Sequence, residues 1–385
     1  MNEEIRKLFP IIENYLYLNH AAITPYSTLV DSAISNISRD IAYNGSTGWH
    51  NWMAKISSTR LLVSKLIGAQ AENIAFMRNT SDAISSIANG ISWQVGDNIV
   101  SCEIEFPANI YPWMRLEKQG VELRLLPATK NRRIDPEAIF NLVDAHTRVI
   151  ALSWVQYSSG FRSDLKTIGK FCQERNILFC VDAIQGLGAL ELNVEDDFVD
   201  TLAADAHKFL MGPEGLGIMY LSDRALKQIQ PTVVGWLSVK NKWEAFEEKS
   251  SFKLDYAPGA LSFECGTPNT IGIYALHAAL ELILKVGQKQ IEEHLLNLSE
   301  YLYKKLSELG FETLQPTKRQ EMSAIVCCRH SKIPPEVIYK KLSAQKIICA
   351  PRCGWLRISP HFYINYNDID RLIASLEIIA KENVM

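Results

Sequence analysis

The chain has 385 residues, 47% apolar and 22% charged, enough to bury a core in one large and one smaller domain. Its formal charge of −3, with no dense Lys/Arg block interleaved with aromatics, argues against nucleic acid as the main partner. The charged stretch 1–10 lacks the apolar centre of a signal peptide and no run reaches transmembrane length, so a cytoplasmic location without membrane contact is expected.

In chain order, short apolar or β-branched runs at 98–104, 121–126, 148–155, 177–181, 200–204 and 217–221 predict strands. Helical patterns at 110–118, 136–143 and 165–174 lie between most of them, the last behind Asp164 as N-cap. Strand and helix alternating in this way predict an α/β fold, a mainly parallel sheet with helices on both faces. From 270 to 309 the pattern is almost continuously helical, with Ala275, Leu276, Ala279, Leu280, Ile283 and Leu284 on one stripe. Residues 322–328, a helix near 335–344, strand-like 347–349 and 356–359 and a last helix from Asp368 predict a small α+β C-terminal domain. The eight cysteines form no CxxC pair and read as reduced, mostly buried thiols. The eight histidines show no metal-ligand spacing, so no metal is expected.

Two strand ends carry chemistry. Lys208, in Ala204-Asp205-Ala206-His207-Lys208, precedes a glycine-rich turn; alone it reads as a surface lysine after a short strand, but a lysine amine whose pKa is lowered by its neighbours captures aldehydes as a Schiff base. The run 177–181 ends in Asp182, and groups beyond the carboxyl ends of parallel strands share one crevice. An amine for an aldehyde carbon and a carboxylate to keep a pyridine nitrogen protonated are the two groups that pyridoxal phosphate requires.

From Leu18-Asn19-His20-Ala21-Ala22 to Leu356-Arg357-Ile358-Ser359-Pro360-His361-Phe362, the chain resembles the class-V aminotransferase group of fold-type I pyridoxal-phosphate enzymes. That group includes cysteine desulfurases, selenocysteine lyases, isopenicillin N epimerase-like proteins and kynureninase. The resemblance implies a large domain, 15–262, holding pyridoxal 5'-phosphate on a mainly parallel sheet of the seven-stranded type. The small domain would combine 1–14 with 263–385. It implies Lys208 as the Schiff-base lysine that moves the Cα proton, Asp182 at the pyridine nitrogen and Gln185 at the phenolic oxygen. Thr80, Ser81 and His207 would meet the phosphate, although Thr80 and Ser81 alone would look the same as a plain helix cap. Gly266 and Thr267 would reach the phosphate of a neighbouring subunit, so the resemblance implies a homodimer with active sites at the interface. Phe106 would stack on the ring, a buried core aromatic being the alternative. Arg357 would bind the substrate α-carboxylate through a two-pronged contact, and Asn19, His20 and Tyr157 would line the substrate side.

The pattern departs from the desulfurases at Phe106, where they often carry a histidine, at Tyr157, where an asparagine is common, and at Asp205, which replaces a small hydroxyl residue. Cys353 stands only four residues before Arg357 and Cys349 at a strand end, so an incidental cysteine is the first expectation for both. The expected activity is therefore transamination or C–S or C–Se lyase chemistry on a small amino acid. Epimerisation, true cysteine desulfuration and a catalytically silent scaffold are the alternatives.

Overall fold

The structure, a computed structural model, describes residues 3–244 and 252–382. Before the main sheet come α1 (Glu3–Arg6), β1 (Leu16–Tyr17), α2 (Thr28–Asn44) and α3 (Trp49–Ile67). The sheet is built from β2 (Ile74–Met77), β3 (Asn98–Cys102), β4 (Glu122–Leu126), β5 (Thr147–Ser153), β6 (Leu178–Asp182), β7 (Thr201–Asp205) and β8 (Gly217–Leu221). Its order is β2-β8-β7-β6-β5-β3-β4, and only β8 runs antiparallel to its neighbours. This is the fold-type I architecture, an α/β fold with a mostly parallel seven-stranded sheet.

Helices α4 (Thr80–Gly90), α5 (Tyr111–Met114), α6 (Pro136–Phe140), α7 (Leu165–Glu174) and α8 (Asp223–Leu226) connect the strands. Strands β5 to β8 are buried along their whole length save one position of β5, which explains why they read as continuous apolar runs rather than alternating ones. The expected helix at 110–118 is the short α5 followed by a 3₁₀ segment at Arg115–Gln119. Asp164 does cap α7, its carboxylate accepting from Thr167 N. The sequence reading did not mark β2 as a strand.

The helical stretch after residue 269 is two helices, α9 (Thr270–Val286) and α10 (Gln288–Glu308), meeting at 78°. Gly287 makes that corner at φ +92°, a conformation that side-chain-bearing residues rarely adopt. Helix α9 packs on α2 and α3, whereas α10 contacts a four-stranded antiparallel sheet. This small sheet has the order β12-β13-β10-β9, from β9 (Glu312–Thr313), β10 (Val326–Arg329), β12 (Ala350–Arg352) and β13 (Trp355–Ile358). Around it lie α11 (Pro335–Ala344), β11 (Ile347–Ile348) and α12 (Tyr366–Glu382). The N-terminal segment is held here too: β1 pairs with β11, Arg6 forms an ion pair with Asp368, and the Phe9 ring stacks on Tyr363. Among the described residues no single helix is long and apolar enough to cross a membrane.

Candidate active site

All parallel strands of the main sheet deliver their carboxyl ends to one edge, where side chains leave the ladder and face a common crevice. Asp182 closes β6 and Asp205 closes β7, with His207 and Lys208 in the following turn. The chain after β3 carries Phe106, and the chain after β5 carries Tyr157. Thr80 and Ser81 open α4 just beyond β2. Together with Gln185, Arg352 and Arg357 these residues enclose a cavity of about 330 Å³, and Ala21 and Ala22 complete its wall.

At its floor, Asp182 is fully buried and its Oδ1 accepts from Ile184 N at 3.0 Å. Burial pushes its carboxyl up to about 7. The half-buried Lys208 amine moves the other way: loss of water lowers it to about 8, against the attraction of Asp182. An amine this easily freed of its proton is a competent nucleophile and base near neutrality. Its Nζ lies 5.7 Å from the centroid of the Phe106 ring, which Tyr157 meets edge-on at 5.2 Å. Phe106 is 45% exposed, so it is not the core aromatic of the alternative reading.

Several polar atoms at this cavity have no hydrogen-bond partner among the described residues. The Thr80 hydroxyl, Gln185 Oε1, Asp205 Oδ1, His207 Nδ1 and Arg357 Nε are all buried without a hydrogen bond. His207 Nδ1 and Asp205 Oδ1 approach to 3.0 Å, yet the alignment is not that of a hydrogen bond, and the lack of alignment decides the matter. Gln185 donates its amide Nε2 to Ala21 O at 3.1 Å, which leaves its Oε1 unpaired. The cap of α4 is Asn79, whose Oδ1 accepts from Asp82 N, so the Thr80 and Ser81 side chains do not perform that task. An unsatisfied buried polar atom costs about 1–3 kcal/mol. The donors among them, the Thr80 hydroxyl at the start of α4 and Arg357 Nε, fit anionic groups of a guest, whereas Gln185 Oε1 and Asp205 Oδ1 call for donors on it.

Arg357 stands on β13 and is almost wholly buried, its Nη1 donating to Tyr157 O at 3.0 Å. Burial lowers its guanidinium to about 10, which still leaves it cationic at neutral pH. Among the described residues no carboxylate pairs with it, so it is available to an anion from outside the chain.

Two expected site residues lie elsewhere. His20 is fully buried with its ring nitrogens against Ser359 O and the Tyr363 hydroxyl, each at 2.7 Å, and burial depresses its pKa well below the usual range. Asn19 bridges to Ser359 instead of lining the cavity. The segment does border the site, but through Ala21 and Ala22. Gly266 and Thr267 line a separate cavity of about 200 Å³, with Arg78 and Asp82, away from Lys208 of the same chain. Cys349 is buried and its thiol is pushed up to about 12, whereas Cys353 is exposed, its Sγ 3.6 Å from the Tyr157 hydroxyl.

Sequence reasoning missed Glu105 and gave no role to Arg352. The buried Glu105 carboxylate accepts from Ser153 N at 2.7 Å, Gln156 Nε2 at 2.6 Å, Asn109 Nδ2 at 3.1 Å and the Ser153 hydroxyl. It thereby fixes the two chain segments that present Phe106 and Tyr157. The one signal for it is an acid directly after an apolar strand.

Comparisons with known proteins agree on one family. Residues 16–372 match the family model described as aminotransferase class-V. A probable cysteine desulfurase of Methanothermobacter thermautotrophicus is 28% identical, over 98% of each chain. A Bacillus subtilis protein named as an uncharacterized aminotransferase, YcbU, is 27% identical over 98% of each. Among solved structures, the cysteine desulfurase of Thermococcus onnurineus superposes with a TM-score of 0.89 at 23% identity, covering 99% of both chains. The cystine C–S lyase C-DES, in complex with its product cysteine persulfide, gives 0.88 at 24% identity, covering 96% of this chain and 99% of the other.

Proposed function

Because the chain belongs to the class-V aminotransferase family and is a pyridoxal 5'-phosphate-dependent enzyme, we propose that it cleaves the Cβ–S bond of a small cysteine-type amino acid. The observation that carries this reading is the pairing of a desolvated Lys208 amine with Asp182 in a cavity whose other wall holds the unpaired Arg357. The choice of sulfur rests on the relatives, which are named for cysteine desulfuration and cystine lysis.

When bound, the cofactor supplies an electrophilic carbon for the substrate amine and a ring that withdraws electrons from Cα. Lys208 would hold that carbon, and Asp182 would keep a proton on the ring nitrogen; each relieves the burial that shifts the other's titration. Phe106 would cover the ring face. Thr80, Ser81 and His207 would take the phosphate, and Gln185 Oε1 would accept from the phenolic oxygen if that oxygen carries a proton. Arg357 would seize the substrate α-carboxylate and so turn the Cα–H bond toward Lys208.

With its amine free, Lys208 Nζ would take the proton from Cα. The Cβ–S bond then breaks with its electron pair leaving on sulfur, and hydrolysis of the remaining three-carbon fragment gives pyruvate and ammonia. Among the described residues Asp182 and Asp205 are the carboxylates that line the cavity, and Phe106 in its wall cannot accept a proton, so Lys208 is the base best placed for the step. A homodimer is part of the reading: Gly266 and Thr267 sit apart from their own Lys208 and would serve the partner's site.

The test is product analysis of the purified yellow holoenzyme with cysteine, cystine, selenocysteine and alanine. Pyruvate and ammonia formed together with a sulfur fragment support the reading, with or without Cys353. Oxo acid that retains the β-substituent, with aminated cofactor, replaces it by transamination.

A further inference from the structure

The substrate side of the cavity is lined by two guanidinium groups, and only one of them is needed for an α-carboxylate. Strands β12 and β13 form a tight hairpin whose two connecting residues, Cys353 at φ +50° and Gly354 at φ +80°, both take the left-handed conformation of a type I′ turn. In its register Ala350 faces Arg357 and Arg352 faces Trp355. Side chains alternate along a strand, so Arg352 shares a face with Ala350 and is the diagonal neighbour of Arg357. Such neighbours lie about 7–8 Å apart. Both arginines line the cavity that holds Lys208.

Among the described residues neither has an acidic partner. Most arginines of the described chain pair with Asp or Glu, among them Arg6, Arg60, Arg162, Arg224 and Arg329. Among the described residues the Arg352 side chain has one hydrogen bond, from Nη1 to the carbonyl of the adjacent Pro351. A third guanidinium, Arg132, adds positive field at Tyr157, and its buried Nη1 has no partner. The cavity's two acids, Asp182 and Asp205, belong to the strand ends next to Lys208, on the main sheet rather than on the hairpin. The hairpin wall is therefore cationic beyond what one carboxylate satisfies.

We propose that Arg352 is a specificity-determining residue that binds a second anionic group, at the far end of the substrate side chain, so that the enzyme acts on diacidic amino acids. This rests on the cofactor-dependent reading above, in which Arg357 takes the α-carboxylate. A substrate of this class carries one carboxylate at Cα and a carboxylate or equivalent anion beyond its β-substituent. The two charges would be gripped by one hairpin while Cα stays beside Lys208. Arg352 itself is exposed on the hairpin and among the described residues pairs with nothing distant, so its removal should leave the fold intact.

The experiment is calorimetric titration of the purified holoenzyme with unreactive acids of matched length, glutarate against valerate, in wild-type protein and in Arg352→Gln and Arg352→Lys variants. Glutarate should bind wild-type protein at least about tenfold more tightly than valerate, as one additional charge-assisted pair allows. Arg352→Gln should abolish that preference without weakening valerate, and Arg352→Lys should keep part of it. Equal binding of the two acids by wild-type protein, or a preference that survives Arg352→Gln, overturns the assignment. Turnover assays on the same holoenzyme separate the two readings: a glutarate preference that depends on Arg352, with no Cβ–S cleavage of any cysteine-type amino acid, refutes the lyase reading and retains the anion subsite.

Discussion

The Glu105 carboxylate accepts a 2.6 Å hydrogen bond from Gln156 Nε2, joining the chain segment that carries Phe106 to the one that carries Tyr157. Two adjacent strand ends are thus fixed by a single buried acid with four N–H and O–H donors and the Cys102 thiol around it. Truncating it to alanine strands those donors, at a cost of about 3 kcal/mol or more. Glu105→Ala should lower the urea midpoint accordingly, while Glu105→Gln, which keeps one accepting oxygen, should lose less. Because Glu105 is a positioning residue, both variants should also raise KM more than they lower kcat. Unchanged KM in a destabilised variant would reduce it to a structural group.

Lys208 is the amine that the main sheet leaves partly desolvated beside Asp182. Lys208→Ala should lower kcat by about 10²–10⁴-fold, the usual contribution of a positioned base. It should also abolish the visible band of the covalently held cofactor. Absorbance spectra and single-turnover assays read the two effects, and wild-type turnover in this variant would remove Lys208 from the mechanism.

Asp182 gives a pH signature in cofactor-free protein. Its folded pKa is raised from the ordinary carboxylate value of 3.8 to about 7, so the native state binds the proton more tightly than the unfolded chain. The stability it contributes is fully present below about pH 4 and is lost as pH rises through 7. Asp182→Asn should flatten that part of the stability-pH curve, measured by denaturant unfolding between pH 4 and 8. In holoenzyme the same substitution should weaken cofactor retention on dialysis.

Arg357 remains cationic with its pKa lowered to about 10, and its planar fork suits a carboxylate. Arg357→Gln should reduce kcat/KM by about 10²-fold, mostly through KM, and Arg357→Lys should recover only a minor part. Steady-state kinetics on any turned-over amino acid will show this. A purely kcat-based loss would place the arginine at the reacting bond instead.

A backbone approach should be equally telling. Gly160 adopts φ +77°, and a Cβ there would stand 2.0 Å from the carbonyl oxygen of Ile325, next to β10 of the small sheet. Gly160→Ala should therefore destabilise the protein by about 1–3 kcal/mol in thermal unfolding. A neutral effect would mean that the loop carrying Tyr157 has another place to go.

The main sheet was legible because its central strands are buried on both faces and spell continuous apolar runs. Asp182 was legible because it ends such a run, and Lys208 because it stands in the turn just after the next one, where side chains reach the crevice at the strand ends. Strand β2 escaped notice: Ile74–Met77 is short, and nothing local separates it from the helices on either side. The turn at Gly287 was hidden inside an unbroken helical pattern. His20 was misplaced because sequence proximity to Ala21 does not say which of two neighbours faces inward; its ring instead spans to Ser359 and Tyr363, more than three hundred residues away. Glu105 was illegible for a related reason. Its donors at 109, 153 and 156 converge only after two strands have paired.

The β12–β13 hairpin carries both arginines of the substrate side within six consecutive residues, while Lys208 and Asp182 belong to the other sheet. Recognition and proton transfer are thereby inherited as separable parts. A change confined to residues 352–357 could retarget the enzyme to a new side chain without disturbing the base, and a lineage could diversify its substrates there while its chemistry stayed constant.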